Sequence, residues 1–135
     1  MREYIMPDTK EVPKGELVIK TIAMPKNTNR YSDIFGGWLV SQMDLGGAIM
    51  AHKCSKDRMT TVAIDKMIFL KPVYVGDVLC CYASIAKKGN TSVAIDVEVY
   101  VERLTDNTTH KVTEGVFTFV AIDDAGRPTK INWQM

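Results

Sequence analysis

The segment SDIFGGWLVSQMDLGGAIMAHKC, residues 32–54, is the part of this sequence that is most informative about the fold. Its apolar residues predict a long helix that packs against a core. Three residues are unfavourable in such a helix, namely Asp44, Gly46 and Gly47. Burying an unpaired carboxylate costs several kcal/mol, and each Gly in a helix interior costs about 1 kcal/mol relative to Ala. A core helix that keeps all three residues therefore needs a functional or a packing reason for them.

The remainder of the chain is predicted to be mostly sheet. One strand, within ELVIKTIAMP, precedes the helix, which opens near Gly36 and runs to about Cys54. After the helix the hydrophobic period changes from 3.6 to 2, and it predicts four strands. They lie in TTVAIDKMIFLKP, VLCCYASIAKK, VAIDVEVYVERL and HKVTEGVFTFVAIDDAGRP. The short turns between them favour antiparallel neighbours. A single helix that covers the apolar face of one antiparallel sheet is an α+β architecture.

The size of the chain predicts one domain. Its 135 residues are enough for a single core and too few for two independent ones. We expect this domain to span residues 1–135, with residues 1–14 as a loosely ordered N-terminal arm, because that stretch is charged and has no hydrophobic period. The 17 Lys and Arg residues nearly balance the 16 Asp and Glu residues, and no long basic run is present. This balance argues against nucleic acid as a partner.

The composition also predicts the compartment. The stretch MREYIMPDTKEVPKGE is too polar for a signal sequence or a membrane anchor, and the apolar runs elsewhere are too short to span a bilayer. The three cysteines are Cys54, Cys80 and Cys81, and their spacing cannot build a zinc cluster. An odd number of cysteines is typical of a reducing compartment. We therefore expect a cytoplasmic protein that has no membrane partner, no metal and no cofactor.

The helix segment, together with AMPKNTN, KPVYVGD and VTEGVFTFVAID, resembles hotdog-fold acyl-CoA thioesterases of the YciA type over nearly the whole chain. The most specific parts are the FGGW motif at residues 35–38 with Asp44 after it, and KPVYVGD at residues 71–77. The resemblance implies a hotdog fold, in which a curved antiparallel five-stranded sheet wraps one long central helix. It implies hydrolysis of acyl-CoA to a free acid and CoA. It also implies a homo-oligomer with active sites between subunits. The minimum unit would be a dimer, and the usual assembly a hexamer built as a trimer of dimers.

Thioester hydrolysis explains the carboxylate of Asp44 inside the helix. The reaction needs a base or nucleophile and donors that stabilise an oxyanion, and it does not require a metal. By the resemblance, Asp44 is the catalytic carboxylate, which attacks directly or activates water. Gly36 and Gly37 are the oxyanion donors, because the N–H groups at a helix N-terminus are unsatisfied. The alternatives are a polar contact of Asp44 across an interface and a simple tight turn at the two glycines. Gly46 and Gly47 are interpreted as packing positions that let the helix approach the sheet or a partner's helix.

The candidate substrate-binding residues are Asn29, Asp33, Phe35, Lys71 and Lys88. Asn29 and Asp33 lie in the loop before the helix, where the resembling family has polar residues near the catalytic centre. The alternative for these two is ordinary turn chemistry, which favours Asn and Asp. Lys71, Lys87 and Lys88 are expected at strand ends on one side of the molecule, where they could meet the CoA phosphates. The alternative for the lysines is a solvated surface.

Two other readings of the sequence remain open. Hotdog hydratases and dehydratases generally use a His with an acidic partner, and neither His52 nor His110 has such a partner in the sequence pattern. Both are expected to be surface residues or satisfied core residues. No GxSxG motif is present to supply a serine nucleophile. Outside enzymes, the alternative is a non-catalytic acyl-CoA-binding module.

Overall fold

A computed structural model describes residues 12–134 of the chain, so most of the expected N-terminal arm lies outside the described residues. Within that range the chain forms one α-helix and one five-stranded sheet. The elements are β1 (Glu16–Ile22), α1 (Gly36–Cys54), β2 (Met59–Phe69), β3 (Val78–Lys88), β4 (Ser92–Arg103) and β5 (Thr108–Ala121). A single turn of 3-10 helix, Pro25–Asn27, follows β1. The predicted helix bounds and the α+β class are confirmed.

The strands are antiparallel and lie in the order β1-β3-β4-β5-β2. The expectation that consecutive strands are neighbours holds for β3, β4 and β5, but it is wrong for β2 and β3. Strand β2 instead pairs with β5, with Met59 opposite Ala121. The chain between β2 and β3, which we call the crossing segment (residues 70–77), is held at the end of the sheet by the Leu70 N–H, which donates to the Val112 carbonyl across 2.8 Å. It therefore passes the ends of β5 and β4 and does not form a hairpin.

The sheet curves around the helix, and α1 contacts all five strands. The apolar face of β4 is completely buried under it. Full burial of a Val or Leu side chain contributes about 1.5–3 kcal/mol, so this contact is a major source of stability. Besides its two buried glycines, the helix buries Leu39, Met43, Met50, Ala51 and Cys54, and the apolar face of β4 buries Val93, Ile95, Val97, Val99 and Val101.

The two glycines inside α1 lie directly against the sheet. A Cβ atom added to Gly46 would be 2.7 Å from the Cys81 Sγ and 3.1 Å from the Val18 Cγ2. A Cβ atom added to Gly47 would be 3.0 Å from the Phe119 ring. Distances this short leave no space for a methyl group without movement of the neighbours. The interpretation of both glycines as packing positions is confirmed, with the sheet as the surface that they approach.

Candidate active site

The N-terminus of α1 is open. Phe35 is its N-cap residue and makes no capping hydrogen bond through its side chain. The N–H groups of Trp38 and Leu39 both donate to the Phe35 carbonyl, over 3.0 Å and 3.3 Å. Within residues 12–134, no acceptor is found for the N–H groups of Gly36 and Gly37. These two donors, at the positive end of the helix dipole, are available to an oxyanion.

Two cavities flank this helix end. One, of about 310 Å³, is lined by Asp33, Gly36 and Lys71, together with Phe69 and other apolar residues. The other, of about 300 Å³, is lined by Phe35 and Gly37 with Lys26, Asn27, Thr28 and Trp38. The structure thus brings five of the predicted site residues to the same end of the helix. These residues lie before the helix, within it and after β2. The sequence alone did not show which of them would line which cavity.

The side chain of Asn29 shapes the loop that leads into the helix. Its Oδ1 accepts the N–H groups of Tyr31, at 2.8 Å, and of Asp33, at 3.2 Å. The Asn29 N–H donates to the Asp33 carbonyl across 2.7 Å. These contacts are the turn chemistry that the sequence left open as the alternative for Asn29. Asp33 differs, because it is exposed and lines the first cavity.

The carboxylate of Asp44 is half-buried and has a partner. The Thr61 hydroxyl, on β2, donates to the Asp44 Oδ1 across 2.6 Å. The helix therefore does not bury an unpaired charge, and the large penalty considered from the sequence does not arise in this chain. Thr61 was missed in the sequence, where a Thr in an alternating strand gives no sign that it faces a carboxylate.

Asp44 and Gly37 lie on one face of α1 but at different heights. They are two helical turns apart, which is about 10 Å along the axis at 1.5 Å per residue. A base and an oxyanion donor must each come within about 3 Å of the reacting group. The leaning of the Asp44 side chain towards the N-terminus shortens the gap without closing it. One chain therefore does not bring both groups to the same carbonyl.

The lysines do not share one side, so that expectation is wrong. Lys71 follows β2 and lines the cavity beside Gly36. Lys88 ends β3 at the opposite end of the sheet, because β2 and β3 run in opposite directions. Its ammonium lies 5.0 Å from the centroid of the Trp133 ring, and Lys87 precedes it on the same strand. The helix between the two ends is about 28 Å long. Within one chain, Lys88 is therefore remote from the open helix terminus.

The two histidines lie in different environments, one at the surface and one in the core. His52 is exposed on the last turn of the helix. His110 is buried, and its Nε2 lies 2.7 Å from the Thr108 Oγ1. Burial lowers the pKa of His110, and the nearby charges of Arg103 and Lys71 lower it further. The neutral form is therefore favoured, and His110 is a satisfied core residue.

Two further features were sought in the described part of the chain: a metal-binding cluster and a membrane-spanning helix. Between residues 12 and 134, no group of three or more His, Cys, Asp or Glu side chains is arranged to hold a metal ion. Over the same range, no helix combines the length and the apolar character that crossing a membrane requires.

The fold and the open helix terminus define a class of protein. Residues 31–106 match the family model described as the thioesterase superfamily, and the chain belongs to this superfamily. It is 50% identical to the acyl-CoA thioester hydrolase YciA of Escherichia coli K12, over 91% of this chain and 96% of that protein. The resemblance inferred from the sequence is confirmed.

Solved structures agree with this assignment. A hexameric thioesterase from Yersinia pestis shares 53% sequence identity with a TM-score of 0.84, over 90% of this chain and 98% of that one. A hexameric hotdog fold thioesterase of Campylobacter jejuni shares 39% identity with a TM-score of 0.82, over 87% of this chain and 91% of that one. The predicted hotdog fold is therefore confirmed as well.

Proposed function

We propose that this chain is an acyl-CoA thioesterase, which hydrolyses acyl-CoA to a free acid and CoA. The observation that carries the proposal is the open N-terminus of α1, where the N–H groups of Gly36 and Gly37 have no acceptor in the described range and border two cavities. The 50% identity to the acyl-CoA thioester hydrolase YciA supports this activity and this substrate class.

In the proposed reaction, Asp44 activates a water molecule or attacks the thioester carbonyl directly. The oxyanion that forms accepts hydrogen bonds from the N–H groups of Gly36 and Gly37. When water attacks, the C–S bond breaks, the acyl carbon keeps the water oxygen and the CoA thiolate leaves. When Asp44 attacks, the C–S bond breaks to give a mixed anhydride with Asp44, and a water molecule then hydrolyses that anhydride to the free acid and the Asp44 carboxylate. Water supplies both the hydroxyl of the acid and the proton that the thiolate takes up. The thiolate is a stable leaving group, so one carboxylate and an oxyanion hole are chemically sufficient.

A complete site requires two copies of the chain. Asp44 and Gly37 are about 10 Å apart along one helix, so Asp44 of one copy is proposed to act beside Gly37 of another. Strand β2 is an edge of the sheet with exposed apolar side chains, which include Val62, Ile64 and Ile68. Such an edge favours pairing with a second chain. We propose a dimer as the minimum unit and, since related thioesterases are hexameric, a hexamer built as a trimer of dimers.

The substrate-binding roles follow from the cavities. Lys71 is proposed to contact the CoA phosphates, because it lines the cavity beside Gly36. Asp33 and Phe35 are proposed to contact substrate at the same helix end, and Asn29 to act by shaping the loop. Lys88 is not included in the site of its own subunit, because it lies at the opposite end of the sheet from Lys71.

We also propose a cytoplasmic location. The cysteines support it, because Cys54, Cys80 and Cys81 are all free thiols. Free thiols without a disulfide are typical of a reducing compartment.

The activity is tested with a panel of acyl-CoA substrates, from short to long and including aromatic acyl groups, while a colorimetric reagent follows thiol release. We expect thiol release from several members of the panel. A change in enoyl absorbance without thiol release would favour a hydratase or dehydratase. Binding without turnover would favour a non-catalytic module. Sedimentation of the same sample tests the shared site, and a particle of only 15.1 kDa would contradict it.

A further inference from the structure

A buried ion pair lies where β3 begins and β4 ends. Val78 pairs with Glu102 in the sheet, so the antiparallel register brings the next residues, Asp77 and Arg103, face to face. The Arg103 Nη2 donates to the Asp77 Oδ2 across 2.8 Å, and its Nε donates to the Asp77 Oδ1 across 3.1 Å. The Arg103 side chain is 17% exposed and the Asp77 side chain is 4% exposed. This is a two-pronged arginine–carboxylate contact, which fixes orientation as well as distance.

The same pair holds the main chain of the crossing segment. The Arg103 Nη2 also lies 3.3 Å from the Pro72 carbonyl, and the guanidinium lies 4.7 Å from the centroid of the Tyr74 ring. The Asp77 Oδ2 accepts the Tyr74 N–H across 2.9 Å. Both charged side chains therefore contact the crossing segment, which connects β2 to β3.

The crossing segment forms one wall of the cavity beside the helix terminus. Lys71, Pro72 and Val73 line that cavity together with Gly36. The Val73 carbonyl accepts the Ile34 N–H across 3.4 Å, which ties the segment to the chain just before the helix. Neither Arg103 nor Asp77 lines this cavity. The ion pair therefore acts on the cavity only through the crossing segment.

Stability alone is a poor explanation for this pair. Removing two charges from water offsets much of their attraction, so a buried ion pair contributes little net stability compared with apolar packing. The property that a planar guanidinium does supply is geometric precision, because its donors have fixed directions. Here the two-pronged contact with Asp77 fixes the guanidinium, and its Nη2 also donates to the Pro72 carbonyl, one residue from Lys71.

We infer that Arg103 and Asp77 are positioning residues for substrate, which hold Lys71 in place for the phosphate-bearing part of acyl-CoA. The inference rests on the proposed thioesterase function. A contact between an ammonium and a phosphate weakens with distance, so a displaced Lys71 binds the nucleotide part less tightly. Asp44 and Gly37 make no contact with the ion pair, so the chemical step is expected to be independent of it.

The test uses Arg103→Lys, which keeps the positive charge but loses the two-pronged contact and the stack on Tyr74. We expect the KM for acyl-CoA to rise about tenfold, with kcat within about twofold of the wild type. The KM for an S-acyl N-acetylcysteamine thioester, which has no phosphates, is expected to stay unchanged. The matched control is Arg127→Lys, at an arginine that is 78% exposed and lies 3.9 Å from Asp123. Its kinetic constants are expected to equal those of the wild type.

A second variant keeps the inference testable if Arg103→Lys does not fold. Tyr74 is 46% exposed, so Tyr74→Leu removes the stack without a large change in the core. We expect the KM for acyl-CoA to rise about threefold in this variant, with no change for the short thioester. In either folded variant, an unchanged KM for acyl-CoA, or an equal rise for both thioesters, would overturn the inference.

The failure of the inference and the failure of the proposed function give different results. Wild-type turnover with unchanged constants in the variants would leave the function in place and reject the positioning role. If the wild type hydrolyses neither thioester, the function fails, and the binding of CoA by calorimetry then tests the positioning role by itself. An increase of about tenfold in the Kd of Arg103→Lys for CoA would support the role, and an equal Kd would reject it.

Discussion

The hydroxyl of Thr61 donates a hydrogen bond of 2.6 Å to the carboxylate of Asp44, and this contact joins strand β2 to the middle of helix α1. It explains how a helix that packs on a sheet keeps a carboxylate at this point. One oxygen of the Asp44 carboxylate accepts this hydrogen bond from Thr61 of the same chain, and the side chain is half-buried. In the proposed mechanism, the hydrogen bond also aims the carboxylate.

Replacement of Asp44 by Asn removes the base but keeps an oxygen that can accept the Thr61 hydroxyl. We expect turnover to fall by about a hundredfold or more, the scale on which a positioned acid or base acts. Fold and assembly are expected to survive, and the melting temperature is expected not to fall, because catalytic carboxylates are often held at a cost in stability. Thiol release and the melting temperature are measured together, with Asp124→Asn, at an exposed carboxylate, as the control. Near-normal turnover would remove Asp44 from the mechanism.

Thr61→Val tests the aiming of the carboxylate. Valine has nearly the same shape and suits a strand, so the loss is mainly that of one hydrogen bond, worth about 1 kcal/mol of stability. We expect turnover to fall by about tenfold with KM within about twofold. Thr61→Ser, which retains the hydroxyl, should restore most of the rate. A lower melting temperature with normal turnover would mean that Thr61 supports only the fold.

Gly37→Val tests the oxyanion site. The added Cβ would lie 2.6 Å from the Phe35 ring, which is 56% exposed and free to move outwards. Valine is no worse than glycine inside a helix, so the variant is expected to fold and associate. Turnover is expected to fall at least about tenfold because the side chain crowds the donor. If the melting transition collapses instead, the alternative of a tight turn at the helix entry is supported.

Gly46→Ala tests the close packing of helix and sheet. Alanine favours the helix by about 1 kcal/mol, but its Cβ would lie 2.7 Å from the Cys81 Sγ. Overpacking of this kind costs about 1–3 kcal/mol, so we expect a lower melting temperature. The substitution should be less harmful when Cys81→Ala has removed the sulfur. Equal effects of Gly46→Ala in both backgrounds, measured by denaturant unfolding, would show that this contact is not the cause.

His110 predicts a pH dependence of stability. Burial lowers its pKa below the ordinary value of 6.5, so between that value and the folded pKa the unfolded chain binds more protons. The contribution of His110 to the free energy of unfolding is therefore constant above this range and falls as the pH decreases through it. The slope from one group is at most about 1.4 kcal/mol per pH unit. Unfolding between pH 7.5 and 5.5, a range of about two units around the ordinary His pKa, is compared with His110→Gln. The variant should show a shallower decrease, and parallel curves would reject the assignment.

The local elements follow from the sequence alone. The period of 3.6 and the later period of 2 are set by residues a few positions apart, so they predicted helix α1 and the approximate strands. Gly46 and Gly47 were recognisable as packing positions because a glycine inside a helix needs such a reason. The open N-terminus at Gly36 and Gly37 was also predictable, since every helix start leaves unsatisfied N–H groups.

Contacts between residues that are distant in the chain depend on the tertiary structure. The placement of β2 beside β5, and so the separation of Lys71 from Lys88, depends on pairing between strands far apart in the chain. The hydrogen bond from Thr61 to Asp44 and the ion pair of Arg103 depend on the same register. Periodicity describes which face of a strand is buried, but it holds no information about the strand's neighbour or about which side chain lies opposite. Those contacts arise when the curved sheet closes around the helix and sets the register of every strand at once.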